Sequence, residues 1–205
     1  GTQFGMIIYG YKHFRDETAY AAKPIVELSR LYRLVRRLMD FHEGCADLSG
    51  IKQEIEKQQA LLSQQETAAG EKPNKHTKKQ LRSLRDKLDG LIERRDSILT
   101  LVSEVEADPQ IGTLAEDHAD IARNVLAETA KLHEGDNENR ELWEQFLPHC
   151  RADIQRVYKR LDIQFDHELG ESFYHDRLGA VVDNFEERGM ARVSDGAVCV
   201  FLEGF

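Results

Sequence analysis

Apolar positions in this chain recur at steps of three and four over most of its length, and only near the C-terminal end do they become a run of neighbours. Leu28, Leu31, Val35 and Leu38, widened by Tyr32 and Met39, form one stripe and predict a helix over about 24–43. Pro24 suits its first turn, where the missing N–H has no helical partner to lose, and Gly44 reads as its stop. A helical hairpin follows. Its first arm, about 49–68, places Ile51, Ile55 and Leu62 on one face. The run Gly70-Glu71-Lys72-Pro73-Asn74-Lys75 breaks it. Its second arm, about 77–106, carries Leu81, Leu84, Leu88, Leu91, Ile98, Val102 and Val105 in heptad register, with Arg95 in one seam position, so coiled-coil packing is expected. The longer second arm is expected to pack its lower half on the 24–43 helix.

Before the first stripe, residues 1–14 mix glycine with Phe4, Met6, Ile7, Ile8, Tyr9, Tyr11 and Phe14. Such a segment demands burial, and its partner is expected outside the chain. After the hairpin, helices are predicted over 114–133 (stopping at Gly135), 137–146 (with Trp143, closed by Pro148), 152–161, and 176–188 (stopping at Gly189). The period then changes. Residues 190–193 and 197–202 read as strands, and Ser194-Asp195-Gly196 between them is a hairpin turn, since Asp-Gly tolerates positive φ. The second strand is apolar on both faces and expects cover on both. The fold expected is mostly α (α+β): a helical domain, a protruding antiparallel coiled-coil hairpin and a small C-terminal antiparallel β-hairpin. Its parts are 1–44, the hairpin 45–107, and a connective region 108–205.

Composition narrows the function classes. A net charge of −9 over 205 residues argues against a nucleic-acid binder that uses its whole surface. The charge is uneven, however. Between Glu71 and Lys87 stand Lys72, Lys75, Lys78, Lys79, Arg82, Arg85 and Lys87 against Glu71 and Asp86 alone, a local +5 that leaves −14 for the remainder. A basic tip on an acidic body suits contact with phosphates. The plainer reading is a solvated lysine-rich coiled-coil face. No aromatic residue is interleaved, so base stacking is not indicated. Cys45, Cys150 and Cys199 are far apart and form no CxxC pair, which points to neither a zinc ribbon nor a disulfide framework and makes a reducing cytoplasm the default. No apolar run nears the roughly 20 residues that span a bilayer, and nothing reads as a signal peptide. The chain opens on Gly1 and closes on Phe205 in ways that suggest an internal piece of something longer.

Three segments carry a resemblance. They are Gly1-Thr2-Gln3-Phe4-Gly5-Met6; Leu142-Trp143-Glu144-Gln145-Phe146 with the stretch Ile154 to Ile163; and Phe165-Asp166 with Gly170-Glu171-Ser172-Phe173-Tyr174-His175-Asp176-Arg177-Leu178, continuing through Gly189 to Ser194-Asp195-Gly196-Ala197 and Phe201. In order and spacing they resemble arginyl-tRNA synthetases, class I enzymes built on a Rossmann-type catalytic domain. The likeness covers 108–205 well and 1–40 loosely; it leaves 45–107 as an insertion. It implies a parent that attaches L-arginine to tRNA at the expense of ATP with Mg2+, in the cytoplasm. It also implies that the HIGH-type signature lies before Gly1, and that the KMSKS-type loop and the residues reading the guanidinium lie beyond Phe205. No catalytic residue is therefore expected here, the chain alone should be inactive, and it should hold no cofactor of its own. Gln3 is the nearest candidate, as a pocket-lining residue. Lys72, Lys75, Lys78, Lys79, Arg82 and Arg85 are the candidates for tRNA contact.

Other clusters are weaker. In Glu171-Ser172-Phe173-Tyr174-His175-Asp176 the residue types of a triad are present, but chain neighbours point apart; a loop leading into a helix, with Asp176 near its cap, is the better reading. Neither His167, Glu168, His175 and Asp176 nor Asp117-His118-Ala119-Asp120 has metal-ligand spacing. The competing function is a free-standing coiled-coil interaction module without catalysis. Apolar segments at 4–14 and 197–205 are expected to favour self-association.

Overall fold

A computed structural model describes residues 2–70 and 74–202. The chain divides into two compact units, 1–154 and 155–205. In the first, α1 (Thr2–Phe14) is followed by the short α2 (Glu17–Ala22), capped by Asp16, whose side chain accepts from the Ala19 N–H at 2.8 Å. Next come α3 (Pro24–Ala69), α4 (Lys75–Ala107), α5 (Pro109–Asp117) and α6 (Ile121–Glu134). The helix α7 (Asn137–Arg160) begins in this unit and ends in the second.

The segment expected to need an outside partner finds one inside the chain. Helix α1 is the centre of the first unit and is buried on two sides. Met6 and Tyr9 meet Val35, Leu38, Val105, Ala115, Ile121 and Val125 on one side; Ile8 and Tyr11 meet Leu28, Leu31 and Phe146 on the other. Two glycines permit this. A Cβ at Gly5 would lie 2.0 Å from Thr129 Oγ1 and 2.7 Å from the Val125 carbonyl oxygen of α6; at Gly10 it would lie 3.1 Å from Leu31 Cβ of α3. The helix thus carries apolar side chains on both of these sides, while Gln3 and His13 remain exposed.

Gly44 does not stop a helix. Helix α3 runs unbroken for 46 residues, and Gly44 is buried where the second arm crosses: an added Cβ would stand 2.8 Å from Ile98 Cγ2. The roughly 1 kcal/mol that glycine costs mid-helix is offset by close approach of the two arms. From there Ile51, Ile55 and Leu88 form the buried seam, with Leu62, Leu91, Ile92 and Ile98 at its margin. Lower down, Val105 joins α3's Leu38 in the main core, as the pattern predicts. The expected turn lies partly outside the described residues. Asn74 caps α4 by accepting from the Thr77 N–H at 2.9 Å.

Two further boundaries differ. The helix expected over 114–133 is two, broken at 118–120, so that Ala115 and Ile121 can both face α1; His118 accompanies the break by meeting the Tyr9 hydroxyl through Nδ1 at 2.7 Å. Pro148 does not close a helix either: it lies inside the 24-residue α7, two residues after the wholly buried Phe146. Gly135 does stop α6, in the left-handed conformation at φ 83°.

In the second unit, α7 ends at Arg160 and a loop leads to α8 (Glu171–Tyr174), a 3-10 turn over His175–Arg177 and α9 (Leu178–Glu187). The N-cap of α9 is Arg177 and carries no side-chain capping bond, so Asp176 is not the cap. Strands β1 (Ala191–Ser194) and β2 (Ala197–Val200) pair antiparallel in the register Ala191↔Val200 to Ser194↔Ala197. Asp195 and Gly196 both have positive φ, 50° and 80°, as a two-residue type I′ turn requires. This unit covers little of its apolar surface: Phe165, Leu178, Val181, Met190, Val193, Phe201 and Leu202 are each more than half exposed.

Candidate functional site

The basic residues of the hairpin end fall into two groups. Arg85 Nη2 meets Glu66 at 2.5 Å and Lys87 Nζ meets Glu54 at 3.3 Å, both on α3; farther from the end, Arg94 Nη2 meets Asp47 at 2.6 Å. These pairs tie one arm to the other. Lys75, Lys78, Lys79 and Arg82 do something else. Spaced i, i+3, i+4 and i+7, they lie along one face of α4's first two turns. All four are exposed. The three lysines have no ion-pair partner among the described residues, and Arg82 has only Asp86, at 3.9 Å. With His76 they line an open surface hollow of about 620 Å3, and no acidic side chain among the described residues lines it. Lys72 lies outside the described residues. The sequence did not separate Arg85 and Lys87 from the others; the separation depends on which glutamates of the opposite arm they meet.

Gln3 stands on the first turn of α1, exposed, and lines a groove of about 490 Å3 together with Ile7, Ile25, Leu28, Ser29, Tyr32, Arg33 and Cys150. The lining is mainly apolar with one guanidinium. Around 170–178, the rings of Phe173 and Tyr174 meet edge to face at 5.2 Å and Arg177 stacks over Phe173 at 4.9 Å, which is packing chemistry. Among the described residues, no three His, Cys, Asp or Glu side chains converge as metal ligands.

A polar cluster that sequence reasoning missed lies under α1. Lys12 Nζ donates to Glu128 at 2.8 Å, Glu138 at 2.7 Å and Asn139 Oδ1 at 2.7 Å; Lys131 donates to the other oxygen of Glu128 at 2.7 Å, and Asn139 Nδ2 donates to the Glu128 backbone carbonyl at 2.9 Å. Burial pushes the Glu128 carboxyl up, but the hydrogen bonds from Lys12, Lys131 and Asn139 outweigh it and hold it at about 2. The cluster joins α1, α6 and α7, with Lys12 and Glu128 at its shielded centre and Glu138 and Lys131 at its solvent-facing edge. The signal was a lysine inside an otherwise apolar helix.

Residues 110–205 match the sequence model of a family described as "tRNA synthetases class I (R), catalytic domain". The arginine–tRNA ligase of Rhodopirellula baltica is 43% identical over 214 aligned residues, which cover 100% of this chain and 32% of that protein. The chain belongs to the arginyl-tRNA synthetase family. The arginine–tRNA ligase of Fusobacterium nucleatum aligns with 99% of the chain at 26% identity, covering 22% of its own length. That of Thermobifida fusca is 45% identical over 92 residues, 44% of this chain and 16% of its own. The chain therefore spans a third or less of the length of these curated relatives. No solved structure matches it. The family's model begins to match three residues after α4 ends, whereas the Rhodopirellula synthetase aligns along the hairpin as well. No helix among the described residues is long and apolar enough to cross a membrane.

Proposed function

We propose that this chain is an internal segment of a cytoplasmic enzyme that activates L-arginine with ATP and attaches it to its tRNA, and that within that enzyme it holds other parts in place. The observation carrying this reading is identity to one arginine–tRNA ligase at 43% over the whole chain. Catalysis of this kind is chiefly positioning and charge stabilisation around ATP and the adenylate. The polar cluster at Lys12 makes structural hydrogen bonds between helices, and no step of that chemistry is assigned to this chain. Its contribution is a rigid core around α1, and an apolar face on the 155–202 unit that the remainder of the catalytic domain covers. Gln3, which lines its groove, is the residue we place nearest the substrate pocket. Full alignment to a synthetase, hairpin included, favours this over a free-standing coiled-coil module.

The test is aminoacylation by the complete protein with each of the standard amino acids and total tRNA. Charging with arginine alone is expected. Charging with a different amino acid, or with none, sinks the reading.

A further inference from the structure

We infer that the end of the α3–α4 hairpin is a tRNA-backbone contact, made by Lys75, Lys78, Lys79 and Arg82. The inference rests on the reading of the parent protein as a tRNA-charging enzyme and adds to it a site on a part of the chain the family's model does not match.

Geometry comes first. The arms cross at Gly44 and Ile98. From Ile98 back to Lys75, α4 extends about 35 Å at 1.5 Å per residue. The four side chains therefore stand well clear of the helical core, at the end of a stiff two-helix arm whose seam is Ile51, Ile55 and Leu88. The stripe they form is about 10 Å long. Arg85 and Lys87, used by Glu66 and Glu54, are not part of it.

Charge selects the ligand. The chain's net charge is −9 while its 71–87 segment is +5, so a polyanion is repelled by most of the chain and attracted here. Chemistry narrows it further. No Phe, Tyr or Trp occurs between Phe41 and Trp143, so the one aromatic ring on the 45–107 hairpin is the imidazole of His76, and the arm has no Phe, Tyr or Trp anchor for a lipid surface. Four cations with a single imidazole beside them are suited to phosphates more than to base edges. A double-stranded part of the tRNA, recognised by backbone and shape, fits that requirement.

Binding of tRNA-Arg to the complete protein, measured across about 50–200 mM salt, tests this. Four phosphate contacts on a duplex contribute about −3.6 to the slope of log affinity against log salt. The variant Lys75→Glu, Lys78→Glu, Lys79→Glu, Arg82→Glu should flatten the slope by that amount and weaken binding at the lowest salt at least ten-fold. The same four residues changed to Gln should flatten the slope as well. Unchanged affinity and slope overturn the inference, as does a loss of affinity that is equal at every salt concentration. A wild-type protein that charges no tRNA with arginine overturns the enzyme reading instead. If it charges tRNA normally and the variants bind tRNA like wild type, the enzyme reading stands and the hairpin contact falls.

Discussion

Alanine at Gly5 tests whether the opening glycine-rich segment exists to let two helices touch. The new Cβ would stand 2.0 Å from Thr129 Oγ1 and 2.7 Å from the Val125 carbonyl oxygen. The hydroxyl cannot simply turn away, since it donates to that same carbonyl at 2.9 Å in a buried position. The carbonyl belongs to the α6 backbone and cannot turn at all without breaking the helix. Relief requires α1 and α6 to separate. Overpacking a core costs about 1–3 kcal/mol, and two contacts this short, one to backbone, place Gly5→Ala at the upper end. Alanine's better helix propensity returns about 1 kcal/mol. The net expectation is a loss of about 2 kcal/mol. At Gly90, on the exposed side of α4, nothing lies within 4 Å of an added Cβ. There the same substitution should stabilise by up to about 1 kcal/mol.

Urea denaturation followed by circular dichroism, at one protein concentration, measures both. The midpoint should fall for Gly5→Ala and rise for Gly90→Ala with the m-value unchanged. Adding Thr129→Ala to Gly5→Ala should recover part of the loss, because the contact at 2.0 Å goes and the one at 2.7 Å stays. A Gly5→Ala protein as stable as wild type would refute the close crossing, and with it the account of why this segment carries glycine there.

Acid should act through Glu128. Its folded pKa, about 2, lies below its ordinary value of 4.5, so its contribution is complete above pH 4.5 and is lost as pH falls toward 2. That shift corresponds to at most about 3 kcal/mol; Glu128→Gln should lower stability at pH 7, and the gap to wild type should close on acidification in urea titrations at each pH. Phe146→Ala, at a side chain with 0% exposure, should cost about 3–5 kcal/mol by the same assay. The 205-residue chain alone should self-associate through its second unit in sedimentation velocity, and Val198→Lys with Phe201→Lys should reduce that; a wild-type chain monomeric at all concentrations would count against an uncovered apolar face.

Periodicity was enough to read the helical stripes, the hairpin seam and the Asp195-Gly196 turn, because each follows from local chemistry. What it could not give was the meaning of breakers. Gly44 and Gly135 are the same residue type after similar helical runs. One has positive φ and ends its helix, while the other sits under Ile98 in a helix that continues. Only the tertiary partner distinguishes them. Pro148 misled for the same reason, and the break at 118–120 left no breaker to see. At the candidate site, the surplus of lysine was legible, but its division was not. Glu66 and Glu54 lie 19 and 33 residues from the groups they neutralise. The Lys12 cluster was hidden likewise, its acids being 116 and 126 residues away.

That division also bears on why the basic stripe is there. The inter-arm pairs at Arg85, Lys87 and Arg94 are exposed and stabilise by roughly 0–1 kcal/mol each; the seam at Ile51, Ile55 and Leu88 holds the arms together. Lys75, Lys78 and Lys79 have no such pair among the described residues, and Arg82 has only the loose one to Asp86 on its own helix. They pair i, i+4 as Lys75–Lys79 and Lys78–Arg82, and i, i+3 as Lys75–Lys78 and Lys79–Arg82, like charge beside like charge. Each such pair opposes the helix by about 0.2–0.5 kcal/mol, so the stripe costs the free arm on the order of 1 kcal/mol. Glutamate at two of the four positions would turn that cost into a gain without touching the seam. A polyanion laid along the face removes the repulsion when it binds, which is the physical sense in which this arm is less favourable alone than it would be against RNA.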